Sequence, residues 1–136
     1  GERHGVDLPN EAITISDGVY AGMIAAMRSL VGPGGKVLIN SPAYSGFYTM
    51  NRNARTIPVD SQLVKVGDRY EIDWEDLESK MTPDVRAMIV CNPQNPTGNV
   101  CKEDELLRIV RLCLEHNLVV LSYEIHADSV RTGPQS

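Results

Sequence analysis

The stretch "VVLSYEIHAD", Val119 to Asp128, decides how the rest of the chain is read. An unbroken apolar run stops abruptly at a group of polar and ionisable side chains, Tyr123, Glu124, His126 and Asp128. Runs of this kind belong to strands buried on both faces, as in parallel sheets, whereas half-exposed strands alternate apolar and polar residues. The abrupt polar end marks the carboxyl edge, where such sheets present their chemistry.

Working outward, strand and helix signals alternate. "AITIS" (12–16) reads as a short strand, and "DGVYAGMIAAMRSLVG" (17–32) as a helix. That helix has apolar residues at Val19, Met23, Ala26, Met27 and Leu30, Asp17 as N-cap, and Gly32 and Pro33 as stop signals. "GGKVLIN" (34–40) gives a turn and a buried strand. "SPAYSGFYTMNRN" (41–53) gives a second helix starting after Pro42, and "ARTIPVD" (54–60) a third strand. A Gly-Asp turn in "VGDRYEID" (66–73) predicts a hairpin, and "DWEDLESKM" (73–81) a short helix capped by Asp73. "VRAMIVC" (85–91) is a strand, and the prolines and glycine of "NPQNPTGN" (92–99) make it a loop. In "KEDELLRIVRLCLEH" (102–116) the acidic first turn and the stripe Leu106, Ile109, Val110, Cys113 and Leu114 specify a helix that Asn117 ends. "LVVLS" (118–122) is the next strand. The alternation predicts an α/β fold with a mainly parallel sheet flanked by helices. Ligand-bearing loops are then expected at 16–19, 40–44 and 92–98, with the polar end of the opening stretch as a fourth.

The bulk numbers narrow the functions. A chain of 136 residues, 42% hydrophobic and 23% charged, is long enough for one domain with its own core. A formal net charge of −5, with no basic run, argues against nucleic acid as a partner. No apolar run is long enough to cross a bilayer, and "GERHGVDLPNEA" does not read as a signal peptide, so no membrane role is expected. Cys91, Cys101 and Cys113 form neither an even disulfide set nor a CxxC pair, which fits a reduced, cytoplasmic setting. Their spacing to His116 and His126 matches no standard zinc site.

Each loop is ordinary alone; in this order they resemble one family. "CNPQNPTGNV", a helix and then "SYEIHAD" resemble the fold-type-I pyridoxal-phosphate enzymes of the aspartate aminotransferase superfamily. "EIHAD", "RYEIDWEDLE" and "LCLEHNLVVLS" are most similar to the cystathionine β-lyase-like branch, the aminotransferase-like C–S lyases. The resemblance runs through nearly all of residues 1–136, as part of the large domain and about a third of a full-length enzyme. It implies pyridoxal 5'-phosphate as cofactor, an amino-acid substrate, and a homodimer. The activity implied is C–S β-elimination, as on cystathionine, or transamination. Gly18 and Val19 fall where backbone amides hold the cofactor phosphate. Tyr44 falls where an aromatic stacks on the pyridine ring, and Asn95 where an asparagine bonds the ring's phenolic oxygen. His126 lies where a tyrosine or histidine approaches that oxygen.

Two departures stand against activity. The family motif Ser-Asp-Glu-Ile-His is here Ser122-Tyr123-Glu124-Ile125-His126, so Tyr123 replaces the aspartate that pairs with the pyridine nitrogen. A phenol, with pKa about 10, donates a hydrogen bond to a neutral nitrogen but supplies no counter-charge. Glu124 is expected on the opposite strand face. The family also carries its cofactor on a lysine in a Ser-x-x-Lys context. Lys36, Lys65, Lys80 and Lys102 are the only lysines, and none has that context; Arg131, the one late arginine, has no motif to recommend it. The expectation is a chain without turnover of its own. The competing reading is a non-catalytic cofactor- or phosphate-binding or interaction module. A generic nucleotide-binding Rossmann domain is the weakest alternative, because no GxGxxG follows a strand.

Overall fold

The computed structural model describes residues 7–129; Arg131 lies outside them. Five strands form one sheet in the order β3-β2-β1-β4-β5. They are β1 (Lys36–Ser41), β2 (Ile57–Val66), β3 (Arg69–Ile72), β4 (Val85–Cys91) and β5 (Val119–Tyr123). The β1–β2, β1–β4 and β4–β5 pairs are parallel, and only the β2–β3 hairpin is antiparallel. The α/β reading therefore holds, and β1 and β4, the two inner strands with the longest apolar runs, are buried along nearly their whole length.

Helices cover both faces because consecutive side chains of β1 and β4 point in opposite directions. Val37 and Ile39 with Ala87, Ile89 and Cys91 face α1 (Val19–Leu30) and α2 (Ser45–Ala54), burying Met23, Met27, Phe47 and Met50 between them. Leu38 with Met88 and Val90 faces α3 (Trp74–Ser79) and α4 (Glu103–Glu115), which add Leu77, Ile109, Leu112 and Cys113.

Local signals set the ends. The Asp73 carboxylate accepts the Asp76 N–H at 3.0 Å, the expected cap of α3. Asn117, at φ 58°, takes the left-handed position after α4, and the Leu118 N–H reaches back to the Cys113 carbonyl at 2.7 Å. Arg55, at φ 62°, ends α2 in the same way, with Thr56 bonded to the Asn51 carbonyl at 2.9 Å.

Four readings need correction. "AITIS" is not a strand: Ala12 closes a 3-10 turn, and Ile15 is 95% exposed, with no neighbouring strand among the described residues to pair with it. Asp17 is not the cap of α1; Gly18 is, without a side-chain bond, while the Ser16 hydroxyl donates to the Gly18 carbonyl at 2.9 Å. The strand read at 54–60 starts at Ile57 and runs on to Val66, because the hairpin pairing with β3 extends it. In α4, Leu112 is buried whereas Val110 and Leu114 are exposed, so the inward stripe is Leu106, Ile109, Leu112 and Cys113.

Candidate active site

The carboxyl ends of β1, β4 and β5 place three chain segments beside one another. After β1 the chain turns through Pro42 and Ala43 to Tyr44, which precedes the first turn of α2. After β4 it enters the 92–99 loop. After β5 it leaves through Tyr123, whose carbonyl accepts the Asn92 N–H at 3.2 Å and so ties that loop to the strand end.

The side chains that converge are aromatic. Phe47 is fully buried, and both Tyr44 and Tyr123 meet it edge-on, with centroid separations of 5.6 and 5.1 Å and interplanar angles of 84° and 89°. Edge-to-face contacts of this kind are favoured by the ring quadrupoles. Tyr123 is buried as tightly as the aliphatic core, so at this position the chain exchanges a polar strand end for a packed ring. Burial, then the neighbouring Tyr44 and Cys91, raise its phenol pKa and hold it protonated. Cys91 itself, raised by burial, donates from Sγ to the Pro93 carbonyl at 3.3 Å.

Tyr44 lies across Gly46. A Cβ on residue 46 would come within 2.8 Å of Tyr44 Cδ1, and closer to its outer ring atoms, so the glycine makes room for the ring. The loops are joined by Gln94, a buried side chain whose amide donates to the Asn40 and Pro42 carbonyls at 3.3 and 3.1 Å. Asn92 Oδ1 accepts the Cys101 N–H at 3.0 Å, bracing the far end of the same loop.

Asn95 is half-buried, and its backbone N–H faces the Cys91 sulfur. Gly18 and Val19 stand at the open N-terminus of α1. The Gly18 N–H donates to the Ser16 carbonyl at 2.7 Å, so an anion would meet the N–H groups from Val19 onward. Tyr20 fixes α1 against α2, its hydroxyl donating to Thr49 Oγ1 at 3.0 Å and accepting from Asn53 Nδ2 at 3.0 Å. His126 is exposed in the turn after β5 and makes no side-chain hydrogen bond among the described residues. The Glu124 carboxylate accepts from the Ser122 hydroxyl at 2.6 Å, both exposed, away from the buried Tyr123 ring.

The lysines stand elsewhere. Lys36, at the amino end of β1, pairs with Asp84. Lys80 bonds the Asp76 carboxylate at 2.9 Å and the Asp60 carbonyl at 2.6 Å. Lys65 is exposed on the hairpin, and Lys102 precedes α4. Sequence reasoning missed Phe47, Gly46, Gln94 and Cys91. Phe47 carried a usable signal, being the sole phenylalanine and one helical turn beyond Tyr44. Gln94 carried none, because a loop glutamine is ordinarily solvated.

Known proteins are similar to this chain over nearly all of its length. The family model described as aminotransferase class I and II matches residues 1–136. Cystathionine beta-lyase PatB of Bacillus subtilis is 41% identical over 133 residues, covering 96% of this chain and 34% of that protein. Kynurenine–oxoglutarate transaminase 3 of Mus musculus is 32% identical, over 92% of this chain and 29% of its own. The PLP-bound C-S lyase of Staphylococcus hominis superposes with a TM-score of 0.91 at 32% identity, over 99% of this chain and 35% of that one. The chain thus spans about a third of the length of these relatives.

Proposed function

Because the chain belongs to the class I and II aminotransferase family, we propose that it is part of the large domain of a pyridoxal-phosphate enzyme of the C–S β-lyase kind, with an amino-acid substrate. The family is pyridoxal-phosphate dependent. The lyase reading is preferred to transamination because the 41% match to a cystathionine β-lyase exceeds the 32% match to the transaminase. A homodimer is part of the same proposal, to be read from native mass spectrometry.

The residues present fit the cofactor unevenly. The free N–H groups at the start of α1 suit its phosphate, the Tyr44 ring gives a stacking face, and Asn95 and His126 would supply in-plane partners. With its ring nitrogen paired to a carboxylate, such a cofactor would supply an electron sink for a substrate carbanion. At the Tyr123 end the fit changes, since a neutral phenol occupies the place of a carboxylate. No described lysine lies beside Tyr44 or Tyr123, so these 136 residues would hold the cofactor without a covalent link and would not turn over substrate.

The observation that carries this reading is the convergence of Tyr44, Cys91 and Tyr123 at the ends of three neighbouring parallel strands. Equilibrium dialysis with pyridoxal phosphate, followed by borohydride reduction and peptide mass spectrometry, tests it. Saturable binding with no stoichiometric lysine adduct is expected; one fully modified lysine would overturn the non-covalent reading.

A further inference from the structure

A cavity lies at the carboxyl edge of the sheet on its α3/α4 face, across β1 and β4 from the Tyr44 and Tyr123 rings. We propose that it binds a small neutral carboxamide, with the amide against the Asn40 side chain and the alkyl end against Val90 and Ile109.

Strand periodicity puts Asn40 there. Two residues after Leu38 on β1, it faces the same layer, beside Val90 of β4. The wall around it is apolar: Val90 and Ile109 are buried, and Leu63 and Ile72 close the hairpin side. Asn40 Nδ2 is buried without a hydrogen-bond partner, and its side-chain oxygen has none among the described residues. The neighbouring Gln94 amide does not relieve it, because it donates to the Asn40 and Pro42 carbonyls. A buried amide left unpaired is costly, so the site favours an occupant with an acceptor and a donor on one edge. A carboxamide presents both in one plane.

Size and charge narrow the class. The cavity measures about 30 Å³, room for about two or three water molecules and so for a molecule of about four heavy atoms. Of the charged lining residues, Arg69 is exposed to screening water, and the Glu105 carboxylate already accepts the Lys102 N–H at 2.7 Å. The Cys101 thiol, its pKa pushed up by burial and then by Glu105, adds no charge. An ion would shed water here without a buried counter-charge. The roof is fixed in advance: Asn99 Nδ2 donates to the Tyr70 carbonyl, and Asn92 Oδ1 accepts the Cys101 N–H at 3.0 Å. A pre-formed site loses little to ordering on binding.

Three probes of equal size separate these parts: acetamide, acetone, which lacks the donor, and acetate, which is charged. Four heavy atoms confine the affinity to roughly the millimolar range, so the measurement is an NMR titration of the 136-residue chain. Acetamide should give saturable shifts at the Val90, Cys101 and Ile109 amides and bind about two- to tenfold tighter than acetone, corresponding to one net hydrogen bond. Acetate should bind at least about tenfold more weakly than acetamide. Asn40→Leu, close in volume, should erase the preference for acetamide over acetone. Cys101→Leu, which adds bulk to the lining, should abolish binding of all three; Cys101→Val gives the same test with a smaller change if the leucine variant does not fold. Shifts with acetamide that never saturate, which would leave the cavity to water alone, overturn the proposal. So do equal affinities for acetamide and acetone, or a preference that survives Asn40→Leu.

Discussion

The two faces of the sheet are built from different materials. The α3/α4 face is a packed aliphatic layer around Leu38, Leu77, Met88 and Ile109, with polar devices such as the Asp73 cap and the Trp74–Arg108 stack at its margin. The α1/α2 face also has an aliphatic centre, but at its carboxyl edge it turns aromatic and polar through Tyr44, Phe47, Cys91 and Tyr123. The α3/α4 face also holds a cavity, lined by Asn40, Leu63, Ile72, Val90, Cys101 and Ile109 among others. At the aromatic edge of the other face Phe47, Cys91 and Tyr123 are buried and Tyr44 is partly exposed, and the proposed cofactor site lies there.

Matched truncations sharpen this contrast most strongly. Phe47→Ala and Leu77→Ala each delete a fully buried side chain, and each should cost about 3–5 and 2–5 kcal/mol respectively in denaturant unfolding. Only Phe47→Ala should also weaken cofactor binding per folded molecule, because Tyr44 and Tyr123 both rest on that ring. Equal binding by the two variants would break the distinction between the faces.

Gly46→Ala acts at the same edge with a smaller effect. The new methyl collides with the Tyr44 ring, and overpacking of this kind costs about 1–3 kcal/mol. A changed near-ultraviolet tyrosine signal should accompany the loss; an unchanged signal would mean that Tyr44 has another place to go. Gln94→Ala leaves the Asn40 and Pro42 carbonyls without their donor, at about 1–2 kcal/mol. Faster hydrogen exchange should then appear across the 40–46 segment and be absent from α3.

How far the sequence disclosed all this depends on what each feature rests on. Strands β1 and β4 were legible because burial on both faces leaves continuous apolar runs, and Asp73 because capping is a local bond; β5 carries a similar run but is an edge strand in which only Leu121 and Tyr123 are fully buried. "AITIS" has the same local pattern but no strand beside it among the described residues, and pairing is not encoded in five residues. Val110 and Leu114 were misplaced because α4 carries apolar residues over more than half its circumference, so only tertiary packing chooses the inward stripe. At the proposed site, Tyr44, Asn95 and Tyr123 were singled out by motif order. Gly46 and Gln94 act by fitting against groups distant in sequence or by removing a clash, which no motif records.

The smallest expected effect belongs to the aliphatic face and concerns charge. Lys80, hydrogen-bonded to Asp76 one helical turn away, holds that carboxyl below the usual carboxylate range, with further help from the Gln62 N–H and against some burial. A folded-state pKa lowered in this way stabilises the protein above the unfolded value of about 3.9, and the gain is lost as pH falls through the folded pKa. Both partners are partly solvated, so the pair is worth only about 0.3–0.5 kcal/mol. Asp76→Asn should therefore lower stability slightly at neutral pH, and the difference from the native chain should vanish in acid. Cofactor binding should not change, since this pair sits across the sheet from the aromatic edge. A measurable change in binding would show that the two faces are coupled through β1 and β2.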